Sequence, residues 1–89
     1  MRYQVAFTSQ AERDLAELPR HVQKRVARWL DLLADDPHRE GTKKLAGQGA
    51  LRRVHASKDY VIVYAIRRRE VLVLVVRMAS VPLALPVLG

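Results

Sequence analysis

Two apolar runs in the second half of the chain constrain its fold more than any other feature: Tyr60-Val61-Ile62-Val63-Tyr64-Ala65-Ile66 and Val71-Leu72-Val73-Leu74-Val75-Val76. Both are rich in β-branched and aromatic residues, which suit a pleated backbone. Successive strand side chains point to opposite faces, so Tyr60, Ile62, Tyr64 and Ile66 share one face while Val61, Val63 and Ala65 share the other. A strand apolar on both faces is a central strand, covered on both sides. The polar stretch Arg67-Arg68-Arg69-Glu70 between the runs makes a hairpin turn. Centring that turn between Arg68 and Arg69 places Tyr60 opposite Arg77.

The residues before this hairpin supply the rest of an α+β domain. Tyr3, Val5 and Phe7 alternate with polar or small residues, the period of a half-buried strand. Ser9 and Glu12 have the spacing of a capping box, which starts a helix over about residues 10–17 with an apolar stripe of Ala11, Leu15 and Leu18. Pro19 ends it. A second helix is marked by Val22, Val26, Trp29, Leu30 and Leu33, with Lys24, Arg25, Arg28 and Asp31 toward solvent. It stops at Asp35-Asp36-Pro37, and acids oppose the dipole at a helix C-terminus, so Asp35 and Asp36 are expected just beyond its last turn. Residues 38–50, with Gly41, Gly47 and Gly49, are expected to be a loop. Arg52–His55 is a short strand. The predicted fold is therefore an N-terminal strand, a helical hairpin, and three strands forming an antiparallel sheet, in one domain spanning 1–89. The helices can cover only one sheet face. The other is left to the apolar tail Val81–Leu88, a partner chain, or a second copy of the chain in a homodimer. Pro82 and Pro86 keep that tail from being a regular helix or interior strand.

Charge is where composition enters. Residues 1–40 hold seven basic and seven acidic side chains, whereas residues 41–89 hold nine basic against two acidic, so the whole net charge of +7 lies in the second part. A basic half is the footprint of a polyanion binder. Nucleic acid, an acidic protein or an anionic surface each supplies the counter-charge. No apolar run approaches the ~18 residues of a membrane span, and the N-terminus lacks the pattern of a signal peptide, so a cytoplasmic protein is expected. With no cysteine, a disulfide framework, a Cys-ligated zinc site and a thiol nucleophile are excluded. His21, His38 and His55 show no metal-ligand spacing, and neither a metal nor a cofactor is expected.

The order of elements, together with several short motifs, resembles the RelE/ParE superfamily of bacterial type II toxin–antitoxin toxins. Tyr3–Thr8 followed by Ala11-Glu12-Arg13-Asp14-Leu15 and Leu18-Pro19 is similar to the family's opening strand and its "A-x-x-D-L…L-P" helix. Leu32–Pro37 resembles the helix end, Lys44-Leu45-Ala46-Gly47 the "K-L-x-G" loop, and Arg53-Val54-His55 with Asp59–Tyr64 the "R-x-R…D-Y-R-v-i-Y" hairpin. The chain departs from that pattern at Val61, where the family carries arginine, and after Arg77, where Met78-Ala79-Ser80 replaces a basic "G-H-R" or "G-K-R". The resemblance implies a toxin held by an acidic antitoxin that wraps the basic sheet. It also implies one of two activities: ribosome-dependent mRNA cleavage, as in RelE, or action on DNA gyrase, as in ParE. A toxin fold without nuclease activity is the alternative to the endoribonuclease, and an unrelated small basic nucleic-acid-binding module is a third reading.

Metal-free RNA cleavage needs a base for the 2′-OH proton, cations on the phosphate and an acid for the leaving oxygen. The residues expected to carry it are Arg53, His55, Lys58 and Arg77. Arg53 and His55 share a strand face, Arg53 and Arg77 are suited to phosphate oxygens, and His55 or Lys58 to proton transfer. Lys43, Lys44, Arg52, Arg67, Arg68 and Arg69 are expected to contact the nucleic-acid backbone.

Overall fold

The computed structural model describes residues 2–45 and 50–80. Gly47 and Gly49, the last two residues of the Lys44–Gly47 motif, and the apolar stretch 81–89 lie outside the described residues. The elements run β1 (Gln4–Phe7), α1 (Ser9–Glu17), α2 (Arg20–Asp35), β2 (Lys43–Lys44), β3 (Leu51–His55), β4 (Tyr60–Arg67) and β5 (Leu72–Ser80). The five strands form one sheet in the order β1-β5-β4-β3-β2. No helix among the described residues is long and apolar enough to cross a membrane.

The fold is α+β with a helical hairpin, as the periodicities predict, but the sheet is mixed rather than wholly antiparallel. β1 runs parallel to β5, and every other neighbouring pair is antiparallel. Helix α1 continues along β5 beyond the end of β1, with Thr8 at Val76 and Asp14 at Met78, and α2 returns to the start of β1, where the Ala34 carbonyl accepts the Tyr3 N–H at 2.7 Å. The two-residue β2, expected to be loop, adds a reversal before β3, so β5 runs with β1 instead of against it. β2 owes nothing to strand propensity: Lys43 and Lys44 are held only by pairing with Arg53 and Arg52.

Helix α1 is capped one residue earlier than expected. Thr8, not Ser9, is the N-cap, and its Oγ1 accepts from the Ala11 N–H at 3.1 Å. The same hydroxyl donates to the Val76 carbonyl at 2.9 Å, while the Thr8 N–H donates to the Val75 carbonyl at 3.0 Å. One threonine thus ends β1, starts α1 and binds both to β5, three duties that Ser9 could not combine from one position later. At the other end of the hairpin, Asp35 lies inside α2 and Asp36 is its C-cap. The dipole argument that put Asp35 outside the helix is outweighed because the Arg2 guanidinium bridges Asp31 and Asp35.

The turn between β4 and β5 also differs from the simple hairpin. Arg67 remains in β4, and the chain reverses through Arg68–Val71, with the Val71 N–H donating to the Arg68 carbonyl at 3.1 Å. Val71 takes φ 51°, a conformation that costs a β-branched residue. Its carbonyl accepts the Gln4 N–H at 2.9 Å, which ties the turn to β1. A bulge at Val76 then shifts the register, since Tyr64 pairs with Val75 but Val63 with Arg77. Tyr60 consequently stands opposite Ser80, not Arg77. Turn length and bulge are both backbone features, invisible to a count of residues between two apolar runs.

The main core lies between the helices and the sheet face carrying Val54, Ile62, Tyr64, Val73, Val75 and Met78. Tyr64 is fully buried there, and its hydroxyl donates to the Pro37 carbonyl at 2.7 Å, which satisfies its one polar atom. Trp29 packs against the edge of this core; Arg39 lies over its ring at 5.9 Å, and Gly41, at φ 98°, passes so close that an added Cβ would sit 3.3 Å from the indole. The opposite sheet face, termed the open face because neither helix packs on it, has its own small buried apolar cluster of Val61 and Ala79. Strand β4 is therefore buried on both sides, as its double apolar pattern requires.

Candidate functional site

Cross-strand register collects basic side chains on the open face. Lys43 pairs with Arg53, Arg53 with Val63, and Val63 with Arg77, so these four residues form one row across β2, β3, β4 and β5. Neighbouring strands are ~4.8 Å apart, which puts the Arg53 and Arg77 backbones about 10 Å from each other with buried Val63 between them. The adjacent row is His55, Val61 and Ala79.

Arg53 and His55 meet as their shared strand face predicts: Arg53 Nη1 lies 3.2 Å from His55 Nε2. Arg53 can only donate, so a hydrogen bond here needs His55 Nε2 as the acceptor. Lys58 is exposed in the turn between β3 and β4, where the Ala56 and Ser57 N–H groups both donate to the Tyr60 carbonyl. It lies beyond the end of the row and makes no hydrogen bond or ion pair with another described residue.

Arg77 is held differently. Its Nε donates to Asp14 Oδ2 at 3.2 Å, the same oxygen that accepts the Met78 N–H at 2.9 Å. Gln10 donates to the other oxygen, Oδ1, at 2.8 Å. Asp14 is the one buried charged residue among those described. Its carboxylate occupies the flank of β5 where β1 has ended, and takes the edge N–H that a longer β1 would have taken. Sequence reasoning assigned Asp14 no role, although a signal was present. Ala11, Asp14, Leu15 and Leu18 fall at i, i+3, i+4 and i+7, so Asp14 sits within the apolar stripe of α1, where a solvated acid does not belong.

The six residues expected to contact nucleic acid divide between the two faces. Lys43 and Arg67 fall in the open-face register, whereas Lys44 and Arg52 fall on the face that carries the helices. Arg52 Nη2 donates to Thr42 Oγ1 at 2.8 Å. Arg68 and Arg69 are exposed in the β4–β5 turn. Lys44, Arg52 and Arg68 line a common cleft with His38, a residue that sequence reasoning left out. No cluster of three or more His, Asp or Glu side chains suited to a metal occurs among the described residues.

The chain is similar to known proteins over most of its length. Residues 5–80 match the family model described as the ParE toxin of the type II toxin–antitoxin system, parDE. The fold superposes on the archaeal RelE–RelB complex from Pyrococcus horikoshii with a TM-score of 0.75 and 26% identity, covering 90% of this chain and 96% of that one. The RelBE2 toxin–antitoxin complex of Mycobacterium tuberculosis gives a TM-score of 0.79 at 24% identity, with 90% and 99% covered. The intact RelBE complex of E. coli gives 0.79 at 23%, with 88% and 95% covered. No curated protein sequence matches the chain.

Proposed function

The chain belongs to the ParE toxin family of type II toxin–antitoxin systems, within the RelE/ParE superfamily, and from that premise we propose that it is a metal-free endoribonuclease acting on mRNA at the ribosome. The observation that carries this reading is the open-face row of Lys43, Arg53 and Arg77 beside His55. The Arg53 guanidinium fork can hold the non-bridging oxygens of a phosphate on this row, with the Arg77 backbone about 10 Å away across buried Val63. Arg77 offers its Nη donors, because its Nε is engaged by Asp14. With Nε2 as the acceptor, His55 can take the 2′-OH proton there once substrate displaces Arg53 from it. Lys58, at the open end of the same strands, is the proton donor to the leaving oxygen. No cofactor takes part.

An acidic antitoxin is the partner on this reading, as relatives from P. horikoshii and E. coli are seen with RelB. The surplus of cations in residues 41–89 is the complementary surface. A single domain spanning 1–89, acting in the cytoplasm where ribosomes are found, completes the proposal. A second reading rests on Val61 and Ala79, which leave the row beside the arginines apolar and uncharged. It makes the chain a ParE-like protein directed at DNA gyrase, or a member of the fold without nuclease activity. A second copy of the chain on the open face is the dimeric form of that reading.

Induced expression in bacteria, followed by primer extension on mRNA, tests these readings together. Growth arrest with codon-phased cuts that vanish in Arg53→Ala supports the nuclease. Arrest with DNA damage and intact mRNA supports the gyrase reading. Absence of arrest supports a protein without toxin activity.

A further inference from the structure

The cleft lined by His38, Lys44, Arg52 and Arg68 lies on the opposite side of the sheet from Arg53 and His55. Four separate segments contribute to it: the loop after α2, strand β2, strand β3 and the β4–β5 turn. Its volume is about 220 Å³, its floor is apolar at Ile66, and no acidic side chain lines it among the described residues. None of Lys44, Arg52 and Arg68 makes an ion pair with a described residue, although Arg2 and Arg77 both do. The Arg52 guanidinium is oriented by Thr42, and its Nε is buried without a hydrogen-bond partner. Three cations lining one cleft without a counter-charge repel one another, and a bound anion relieves that repulsion.

We propose that this cleft is a phosphate subsite for a nucleic-acid strand, on the face opposite the cleavage row, so that the strand passes around the β2 edge from one face to the other. β2 is two residues long and exposed, and it is the outermost strand on that side of the sheet. Lys43 and Lys44, adjacent and pointing to opposite faces, hold successive stretches of backbone on its two sides. A phosphate suits the lining better than a carboxylate because three cations can share its several oxygens, two of them through guanidinium forks. The subsite rests on the nucleic-acid reading of the open face but not on cleavage.

The test uses a short fluorescent single-stranded RNA with 2′-O-methyl groups throughout, which binds but cannot be cut. The full chain is compared with Lys44→Gln/Arg68→Gln and with Lys24→Gln/Arg28→Gln, an equal loss of charge on the exposed outer face of α2. All four side chains belong to exposed residues, so folding is preserved. The cleft pair is expected to weaken binding roughly ten-fold and to reduce the salt slope by about 0.7 for each phosphate no longer neutralised, with little change from the α2 pair. Equal losses from both pairs, or no loss from the cleft pair, would overturn the subsite. So would amide shifts at Lys44 and Arg52 with inorganic phosphate but none with RNA, which would assign the cleft to a free anion. Because the probe cannot be cleaved, an outcome in which the cleft binds and mRNA stays intact refutes the nuclease while sustaining this subsite.

Discussion

Arg53 and Arg77 stand in one cross-strand row, separated by a single strand, and are put to opposite uses. Arg53 makes no ion pair with a described residue, and its near neighbour is His55, itself exposed. Arg77 is tied to a carboxylate whose side chain is 6% exposed, and which also holds a backbone N–H and a glutamine. The first arrangement leaves a cation free for a ligand. The second commits most of its cation to closing a sheet edge. Residue type and strand face are the same at both positions, so the difference comes from what lies beside the strand: solvent and the short β2 at one end, helix α1 at the other. Perturbing each arginine and its partners separates these duties.

The largest effect is expected from Arg53→Ala in an mRNA cleavage assay. Loss of a phosphate donor acting in the transition state typically costs ~10²–10³ in rate, while stability changes by less than ~1 kcal/mol at this half-exposed strand position. Equal losses of rate and stability would erase the contrast with Arg77. Asp14→Ala should do the reverse. It removes the acceptor of both Arg77 and the buried Met78 N–H, and should lower unfolding free energy in urea by about 2–3 kcal/mol. A midpoint indistinguishable from wild type would mean that water replaces the carboxylate without loss.

Val61→Arg comes next. It places a cation beside His55 and should raise cleavage, at a stability cost of about 1–3 kcal/mol, because Val61 is 1% exposed. Cleavage that falls in a folded variant would show that the apolar row belongs to the working surface. Arg77→Ala should cost about 1–2 kcal/mol, less than loss of Asp14, because its side chain is 28% exposed and the carboxylate left behind keeps two donors. Its rate should fall less than that of Arg53→Ala; a larger fall would make Arg77 the principal phosphate ligand. The smallest effect belongs to Arg2→Ala. The bridge from Arg2 to Asp31 and Asp35 is more than half exposed, so a thermal melt at physiological salt should fall only slightly below that of wild type.

The legible parts of the molecule were those in which one property repeats along the chain. The double apolar face of β4 marked it as central, and the 3.6-residue spacing from Val22 to Leu33 marked α2, because periodicity is read within one element. The contact between Arg53 and His55 was legible for the same reason: residues two apart in a strand share a face. The cleft was half legible. Its lysine and arginines were picked out by charge, yet nothing in their order showed that Lys44 and Arg52 turn away from Lys43 and Arg53, nor that His38 joins them from beyond α2.

The sequence by itself determined which segments become helix and central strand, where the cations concentrate, and which of them share a strand face, since these follow from local period and side-chain chemistry. Only the tertiary structure decided that β1 lies parallel to β5, that a bulge at Val76 sets Arg77 beside Val63, and that Asp14 crosses from α1 to take both Arg77 and an edge N–H. Each of these depends on which backbone hydrogen-bonding groups are left without partners once the layers are assembled. An unpaired donor at a sheet edge recruits whatever acceptor the packing brings to it, and no periodicity along the chain encodes that meeting.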